Sequence, residues 1–425
     1  MSERQPGTRS ILVFALGSGG DVHPSLAVSK ALRARGHSVA VYANPYYEKA
    51  VRGAGLDFRA MGSQEGYLDA MRDPKLWKQR GGWSVLIDHM LGSMEPLYET
   101  IKQAYRPGET LVIAPFSAFG ARIANEKLGV PLVNLLLEPL LLRSLDHQPG
   151  RIVDPRHLPL VRAYRRAMLW ALDRFVLDRM LGEKTNAFRA TLGLPPVSRF
   201  AGGWFHSPDL VVGLFPNWYA KPMRDWPPQV RLTGFPLFDE DEAAAPVPPA
   251  VEEFLAEGEP PIVFTLGTPM RTGKEFFHTS AEACRILGRR GILLSPFAEQ
   301  MPSDLPAGVK HFDYVPFGSL LPRAAALVHH GGVGTIAQAL RAGIPQIVHP
   351  LNFAHPDNAI RMVALGVGEM LRGKQYTAPK AAERLDSLLS SPEVARRLEL
   401  HAAKFQNQSW LEETCRLIEA VPLRR

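Results

Sequence analysis

Residues 329–335 read His329-His330-Gly331-Gly332-Val333-Gly334-Thr335. An apolar run, Ala324 to Val328, leads into them, and a helix-like run, Ile336 to Ala342, follows. Glycine between a strand and a helix lets backbone amides come close to a bound group. The helix N-terminus adds unpaired N–H groups and the positive end of the dipole. In an open parallel sheet, ligands sit beyond the carboxyl ends of strands at such turns. The stretch therefore reads as a grip for a diphosphate. Gly331, Gly332 and Gly334 clear the approach, Thr335 caps the helix or donates to a phosphate oxygen, and His330 donates and carries part of the charge. The plain alternative is a tight turn without a ligand. The adjacent histidine and the following Gly343-Ile344-Pro345-Gln346 favour the grip.

The same punctuation occurs elsewhere. Ile11 to Leu16 is a short apolar run that ends in Gly17-Ser18-Gly19-Gly20, followed by a helix-like Pro24 to Arg35, then Gly36 and a second strand, Ser38 to Tyr42. Pro261 to Leu266 ends in Gly267-Thr268, followed by a helix-like Glu275 to Leu287 and a strand, Gly291 to Leu294. Strand, glycine turn, helix and strand make a βαβ unit. Continuous apolar strands suit a parallel sheet covered on both faces. The fold class is α/β, with two doubly wound Rossmann-like domains. The expected boundaries are 1–238 for the N-terminal domain, 239–258 for a linker rich in Asp, Glu, Ala and Pro, and 259–425 for the C-terminal domain with a terminal helix. The middle, Arg151 to Phe200, reads as helical and arginine-rich.

The totals agree with this reading. A chain of 425 residues exceeds one ordinary core. Its 46% hydrophobic and 21% charged content is that of a globular protein. No apolar run approaches the ~20 residues that span a bilayer. The opening MSERQPGTRS lacks the apolar core of a signal peptide. Two cysteines, Cys284 and Cys415, exclude a disulfide framework or a zinc cluster. The expected location is the cytoplasm. A net charge of +7 is compatible with anionic substrates or peripheral contact with the inner face of the membrane. No basic run interleaved with aromatics points to nucleic acid.

The segment HHGGVGTIAQALRAGIPQIVHP (329–350), with Asn358-Ala359 and Leu365-Gly366-Val367-Gly368, resembles the donor signature of GT-B glycosyltransferases that use nucleotide-diphosphate sugars. GSGGDVHP (17–24) resembles the acceptor-side loop of the same superfamily. WFHSPDLVVGLFPNWY (204–219), DWPP (225–228), TGFPLFD (233–239) and FGARIANEKLGVP (119–131) are similar to the rhamnosyltransferases that make mono-rhamnolipids. The resemblance implies two Rossmann-like domains facing across a cleft, a nucleotide-sugar co-substrate and no metal.

It also implies donor-site residues. Tyr314 and Val315 match the place where an aromatic ring or backbone amide receives the pyrimidine; the plain alternative is that Tyr314-Val315-Pro316 ends a strand and packs internally. His330, Gly332, Gly334 and Thr335 match the diphosphate-gripping positions, Gly267 and Thr268 at the first strand end of this domain could reach the diphosphate, and Gly19 and Val333 are expected among the donor-binding residues. Gln338 stands where users of UDP-sugars have a glutamate whose carboxylate accepts from the ribose hydroxyls. A thymidine nucleotide lacks the 2′-hydroxyl, so Gln338 favours a dTDP-sugar, plausibly dTDP-L-rhamnose. Ala354 and His355 stand where the family places Asp-Gln against the sugar hydroxyls. That departure leaves one face of the sugar without its carboxylate.

Inverting transfer needs a base, alignment and stabilisation of the departing diphosphate. Asp21 is the candidate base, with helix N-cap as its alternative role. His23 is the alternative base, with an unperturbed pKa near ~6.5. No carboxylate occurs in IAPFSAFGAR (113–122), where relatives place an Asp that polarises a catalytic His. The acceptor wall is expected from Trp83 and Met90 in the helical GWSVLIDHMLGSMEPLY (82–98), with Phe116, Leu136 and Trp204. The plain alternative for each is core packing. The resulting expectation is an inverting, metal-independent glycosyltransferase moving L-rhamnose onto a lipophilic hydroxyl acceptor such as a 3-hydroxyalkanoyl-3-hydroxyalkanoic acid. The alternatives are a UDP- or dTDP-sugar transferase acting on a polyketide, sterol or other small aglycone, and an inactive nucleotide-sugar or lipid binding protein. A nucleotide-sugar 2-epimerase on the same fold would need carboxylates that Ala354 and IAPFSAFGAR do not supply.

Overall fold

The computed structural model describes residues 8–73, 75–76, 82–146, 158–237, 247–268, 270–406 and 409–424. The chain divides into two compact units. The first comprises Met1–Met71, Trp83–Pro236 and Ser409–Arg425, and the second Arg72–Gly82 and Leu237–Gln408.

The first unit is built on seven parallel strands: β1 (Ser10–Ala15), β2 (Ser38–Ala43), β3 (Asp57–Ala60), β4 (Thr110–Ala114), β5 (Leu132–Leu136), β6 (Leu210–Gly213) and β7 (Val230–Leu232). Their order is β3-β2-β1-β4-β5-β6-β7. β1 pairs with β2 on one side and β4 on the other, with Ile11 opposite Val39 and Leu111. The strand order therefore reverses at β1, and a crevice opens at its carboxyl end. Ile11 to Ala15 are all buried, as a strand covered on both faces requires.

The second unit repeats the plan with six parallel strands: β8 (Ile262–Thr265), β9 (Gly291–Leu294), β10 (Val309–Phe312), β11 (Ala326–His329), β12 (Gln346–Val348) and β13 (Gly368–Met370). Their order is β10-β9-β8-β11-β12-β13. The reversal lies between β8 and β11, whose ends carry Gly267-Thr268 and His330-Gly331-Gly332 respectively. The two glycine turns picked out by the sequence thus flank one switch point.

Three expectations are corrected. The first helix runs Gly19–Ala34, starting five residues before Pro24, because Ser18 and Asp21 cap it together. The expected linker 239–258 contains a helix, Pro249–Ala256, whose Val251 and Phe254 are buried in the second unit's core; residues 238–246 lie outside the described residues. The expected C-terminal domain, 259–425, loses its terminal helix. Trp410–Glu419 belongs to the first unit, where its Cys415 and Ile418 are buried and Glu419 holds Arg35 through two 2.8 Å bonds. Within the middle segment, Leu158–Leu172 and Asp178–Thr191 are joined through a π-helical turn, Asp173–Leu177.

Candidate active site

In the second unit, β11 ends in His329, which is fully buried. The Gly331 amide donates to its Nδ1 at 3.1 Å, so Nδ1 accepts and the hydrogen sits on Nε2, which lies 3.0 Å from Gln346 Oε1 on β12. Burial, reinforced by His330, lowers the His329 pKa to about 3. His329 therefore shapes the turn from inside as a neutral imidazole. Gly331 follows with φ of +101°, and a Cβ there would lie 2.8 Å from Val348 Cγ1. The turn needs glycine at that position.

His330 is clasped by glycines on two sides. A Cβ on Gly267 would come within 3.0 Å of its Cε1, and one on Gly332 within 2.8 Å of its Nε2. Its Nδ1 is buried without a hydrogen-bond partner among the described residues, and so is that of His355. The two rings meet edge-on, 4.8 Å apart. Burial lowers the His330 pKa to about 4. Burial, then the nearby His330 and His329, lower His355 well below the usual 6.5. Both are neutral near pH 7.

Gly332 is the N-cap of the helix Val333–Ala342. The first-turn amides of Val333, Gly334 and Thr335 have no intrahelical acceptor. Gly334 is exposed, and a Cβ there would meet nothing within 4 Å. Val333 and Gln338 are buried on the same helix, while Thr335 is half-buried. Asn358 Nδ2 donates to the Gly331 carbonyl at 3.1 Å, tying the helix His355–Ala364 to the glycine turn. Ala354 caps that helix and is buried; Phe353 before it has φ of +49°. Asp357 beside them is held by Arg361 at 2.7 Å.

Thr268 is exposed beyond β8. The turn carrying Gly267 and Thr268 is anchored by buried Gln300, which accepts from the Gly273 amide and donates to the Met270 carbonyl. Tyr314 is exposed, but the Val315 side chain is in the core with Leu320 and Leu327. The expected pair splits: a ring at the surface, and at Val315 only a backbone.

In the first unit, Gly17 has φ of +125°, and a Cβ there would strike Asp21 Oδ2 at 2.5 Å. The Asp21 carboxylate accepts from both the Ser18 amide and hydroxyl at 2.9 Å. It occupies the third helical position, not the N-cap, which is Ser18. Asp21 is exposed in area, yet desolvation by the surrounding protein raises its pKa above the usual carboxylate value, against the lowering effect of the Ser18 bonds. His23 lies over Gly19, with 3.3 Å from its Cε1 to a Cβ built there, and edge-on to Tyr47 at 6.3 Å. Two residues apart on a helix, Asp21 and His23 project in nearly opposite directions. They stand as alternatives, not as a dyad.

Nearby is a tyrosine cluster absent from the sequence expectations. Tyr46, Tyr47 and Tyr67 pack edge-on or tilted against one another with ring centres 5.1 to 5.6 Å apart, and the Tyr47 and Tyr67 hydroxyls are 2.6 Å apart. The Asp21 charge contributes to raising both phenol pKa values, after burial. Tyr46 and Tyr47 follow β2 directly, whereas Tyr67 arrives from the helix Gln64–Arg72.

The expected acceptor wall is largely core. Met90 and Trp204 lie in the hydrophobic cluster behind β1 and β4, and Leu136 is fully buried. Trp204 donates to Glu126 Oε1 at 2.8 Å, with the Arg122 and Arg189 guanidinium groups 5.8 and 5.7 Å from its ring centre. Phe116 is half-buried against Phe205, and Trp83 is exposed. These residues do not form one surface. A surface cavity of ≈ 640 Å³ in this unit, lined by Pro216, Trp226 and Arg231 among others, contains none of the expected site residues.

Comparison with known proteins agrees with the two-sheet fold. The glycosyltransferase family 28 N-terminal domain matches residues 11–138, and the C-terminal domain of erythromycin biosynthesis protein CIII-like proteins matches residues 292–420. Glycosyltransferase GtfC of Amycolatopsis orientalis is 30% identical over 397 residues, 91% of each chain. O-mycaminosyltylonolide 6-deoxyallosyltransferase of Streptomyces fradiae is 29% identical over 417 residues, 96% of each chain. The solved structure of the glycosyltransferase of kitacinnamycin shares the fold, with a TM-score of 0.76 at 21% identity over 98% of this chain and 100% of that one. The chain belongs to the GT-B glycosyltransferases of this type. It is a nucleotide-sugar-dependent transferase, of a kind that works without a metal cofactor.

Proposed function

We propose that the protein transfers a 6-deoxyhexose, L-rhamnose from dTDP-L-rhamnose, with inversion onto a hydroxyl of a lipophilic acceptor such as a 3-hydroxyalkanoyl-3-hydroxyalkanoic acid. The observation that carries the donor half is His330, held by Gly267 and Gly332 at the start of the helix Val333–Ala342. There the diphosphate meets first-turn amides, the Thr335 hydroxyl and an imidazole, and its departure from the sugar is stabilised electrostatically. Gln338 on that helix supports a thymidine nucleotide, because no carboxylate is present for a ribose 2′-hydroxyl. Ala354 supports a sugar with fewer polar groups to hold.

In this reading the Asp21 carboxylate takes the acceptor hydroxyl proton as the acceptor oxygen bonds to the sugar C1 and the C1–phosphate oxygen bond breaks. Its raised pKa suits it to that task. Trp83 and Phe116 belong to the acceptor side, together with Tyr46 and Tyr67, and Met90, Leu136 and Trp204 support it from behind. Peripheral contact with the inner face of the membrane would bring the enzyme to such an acceptor. Among the described residues, no helix is long and apolar enough to cross a membrane.

A second reading keeps the chemistry and changes the acceptor to a natural-product aglycone. The similarity to a transferase named for acting on O-mycaminosyltylonolide favours it. Thermal stabilisation by dTDP and UDP tests the donor, since a ligand that binds only the native state raises Tm by mass action. A larger shift with dTDP is expected. An equal or larger shift with UDP overturns the thymidine assignment. Turnover of dTDP-L-rhamnose with hydroxyalkanoyl acids against macrolide and sterol acceptors then decides between the readings.

A further inference from the structure

The helical segment spanning residues 158–180 is amphipathic the wrong way round. Its inward face is charged: Arg165 is buried and donates to the Leu145 carbonyl at 2.9 Å, and Asp173 is buried against Arg143 at 2.5 Å. Arg162, half-buried, reaches Asp146. Its outward face is apolar. Leu160 and Tyr164 are 74% and 70% exposed, and Trp170 and Phe175 are 54% and 55% exposed. Eight of the fifteen exposed large hydrophobics among the described residues fall between Leu160 and Met180. A globular surface normally scatters such residues singly, and a cluster marks an interaction site.

The π turn Asp173–Leu177 explains how the face stays continuous. On a regular α-helix, residues five apart diverge. Across this wider turn, the rings of Trp170 and Phe175 come to 5.6 Å at 88° and form one ridge. Leu160, Tyr164 and Met168, at i, i+4 and i+8, form a separate apolar row on the other flank of the exposed side.

We propose that this ridge is the surface by which the protein lies on an anionic bilayer. The charge pattern selects that occupant. From residue 159 to 180, every exposed residue is apolar, tyrosine or arginine, the arginines being Arg166, Arg174 and Arg179. The acids within 159–180 are withdrawn: Asp173 is buried, and Asp178 is half-buried, accepting from the Arg199 amide, while Glu183 and Lys184 beyond them are exposed. Arginine pairs with phosphate headgroups in a forked geometry, and tryptophan and tyrosine settle at the headgroup level. Two copies of the same face would bring arginines against arginines, which disfavours a symmetric dimer. The inference rests on the membrane contact suggested above and gives it a location; it does not depend on the donor assignment.

The test is co-sedimentation of the full chain with vesicles of phosphatidylcholine alone and with added phosphatidylglycerol, without donor or acceptor. Binding to the anionic vesicles, weakened by salt, is expected. Trp170→Ser with Phe175→Ser should reduce it about tenfold or more by removing buried apolar area. Arg166→Gln, Arg174→Gln and Arg179→Gln together should abolish the anionic preference. Both variants should keep the Tm and the dTDP-induced shift of the wild type, so failure of this inference and failure of the donor reading are distinguishable. The proposal is overturned if wild-type protein sediments with neither vesicle, or if the Trp170/Phe175 variant binds as wild type does. It is also overturned if light scattering shows a dimer that this variant dissociates.

Discussion

The imidazoles of His330 and His355 meet edge to face, with 4.8 Å between ring centres at 78°. Both Nδ1 atoms are buried without partners among the described residues. Neutral and short of hydrogen bonds, the pair lies where an anion would be welcome.

Diphosphate binding should therefore be accompanied by proton uptake. In the free protein His330 titrates at about 4, and His355 also lies well below its ordinary value. A phosphate oxygen favours the protonated ring and raises those values toward neutrality. Affinity for dTDP should then rise as pH falls from 8 to 6, by at most about tenfold per unit for one proton. Calorimetry at pH 6.5 in buffers of different ionisation enthalpy reads the uptake directly. Identical enthalpies in all buffers would remove both imidazoles from the diphosphate.

Two glycines of the same turn separate the needs of the fold from those of the ligand. Gly332→Ala drives a Cβ to 2.8 Å from the His330 ring, so it should disturb both Tm and dTDP binding. Gly334→Ala meets nothing within 4 Å. In a helix it should stabilise the protein by ~0.5–1 kcal/mol. It should nonetheless weaken dTDP about tenfold, because the diphosphate approaches that backbone. Raised Tm with unchanged affinity would place the diphosphate elsewhere.

These glycines were legible because continuous apolar strands end in them, and β1, β8 and β11 were read close to their observed bounds. The helix starts were less so. The Ser18–Asp21 bonds start the first helix ahead of Pro24, where the sequence placed its beginning. The apolar stripe on Trp410–Glu419 shows that a face must be buried, but not against which sheet. Met90 and Trp204 have the residue types of an acceptor wall, and packing claims them. Tyr46 and Tyr67 meet from different segments, a proximity no local pattern announces.

Asp21 serves the helix and, as proposed, the chemistry, and two substitutions divide the roles. Asp21→Asn keeps an acceptor for the Ser18 amide and should leave Tm nearly unchanged. Asp21→Ala removes the partner that holds the Ser18 amide and hydroxyl and should cost ~1 kcal/mol. As a base, Asp21 is lost in both, so turnover should fall ~100-fold or more in each. Because its pKa is raised, kcat/KM of the wild type should decline on the acid side at a higher pH than an ordinary carboxylate predicts. An active Asp21→Asn would transfer the role to His23.

His329 gives a stability prediction with a definite sign. Unfolded, its imidazole takes a proton below ~6.5. Folded, it stays neutral down to about 3. Between those values the unfolded state holds more protons, so acid weakens the fold; above pH 6.5 the effect is absent. The contribution approaches ~1.4 kcal/mol per pH unit for each such histidine. His329→Asn keeps an acceptor for the Gly331 amide but cannot titrate. It should be less stable than wild type at pH 8, having lost the contact with Gln346, yet the gap should narrow steadily from pH 6.5 to 4.5. Urea midpoints across that range measure the gap, and parallel curves would show that His329 is charged in the native turn.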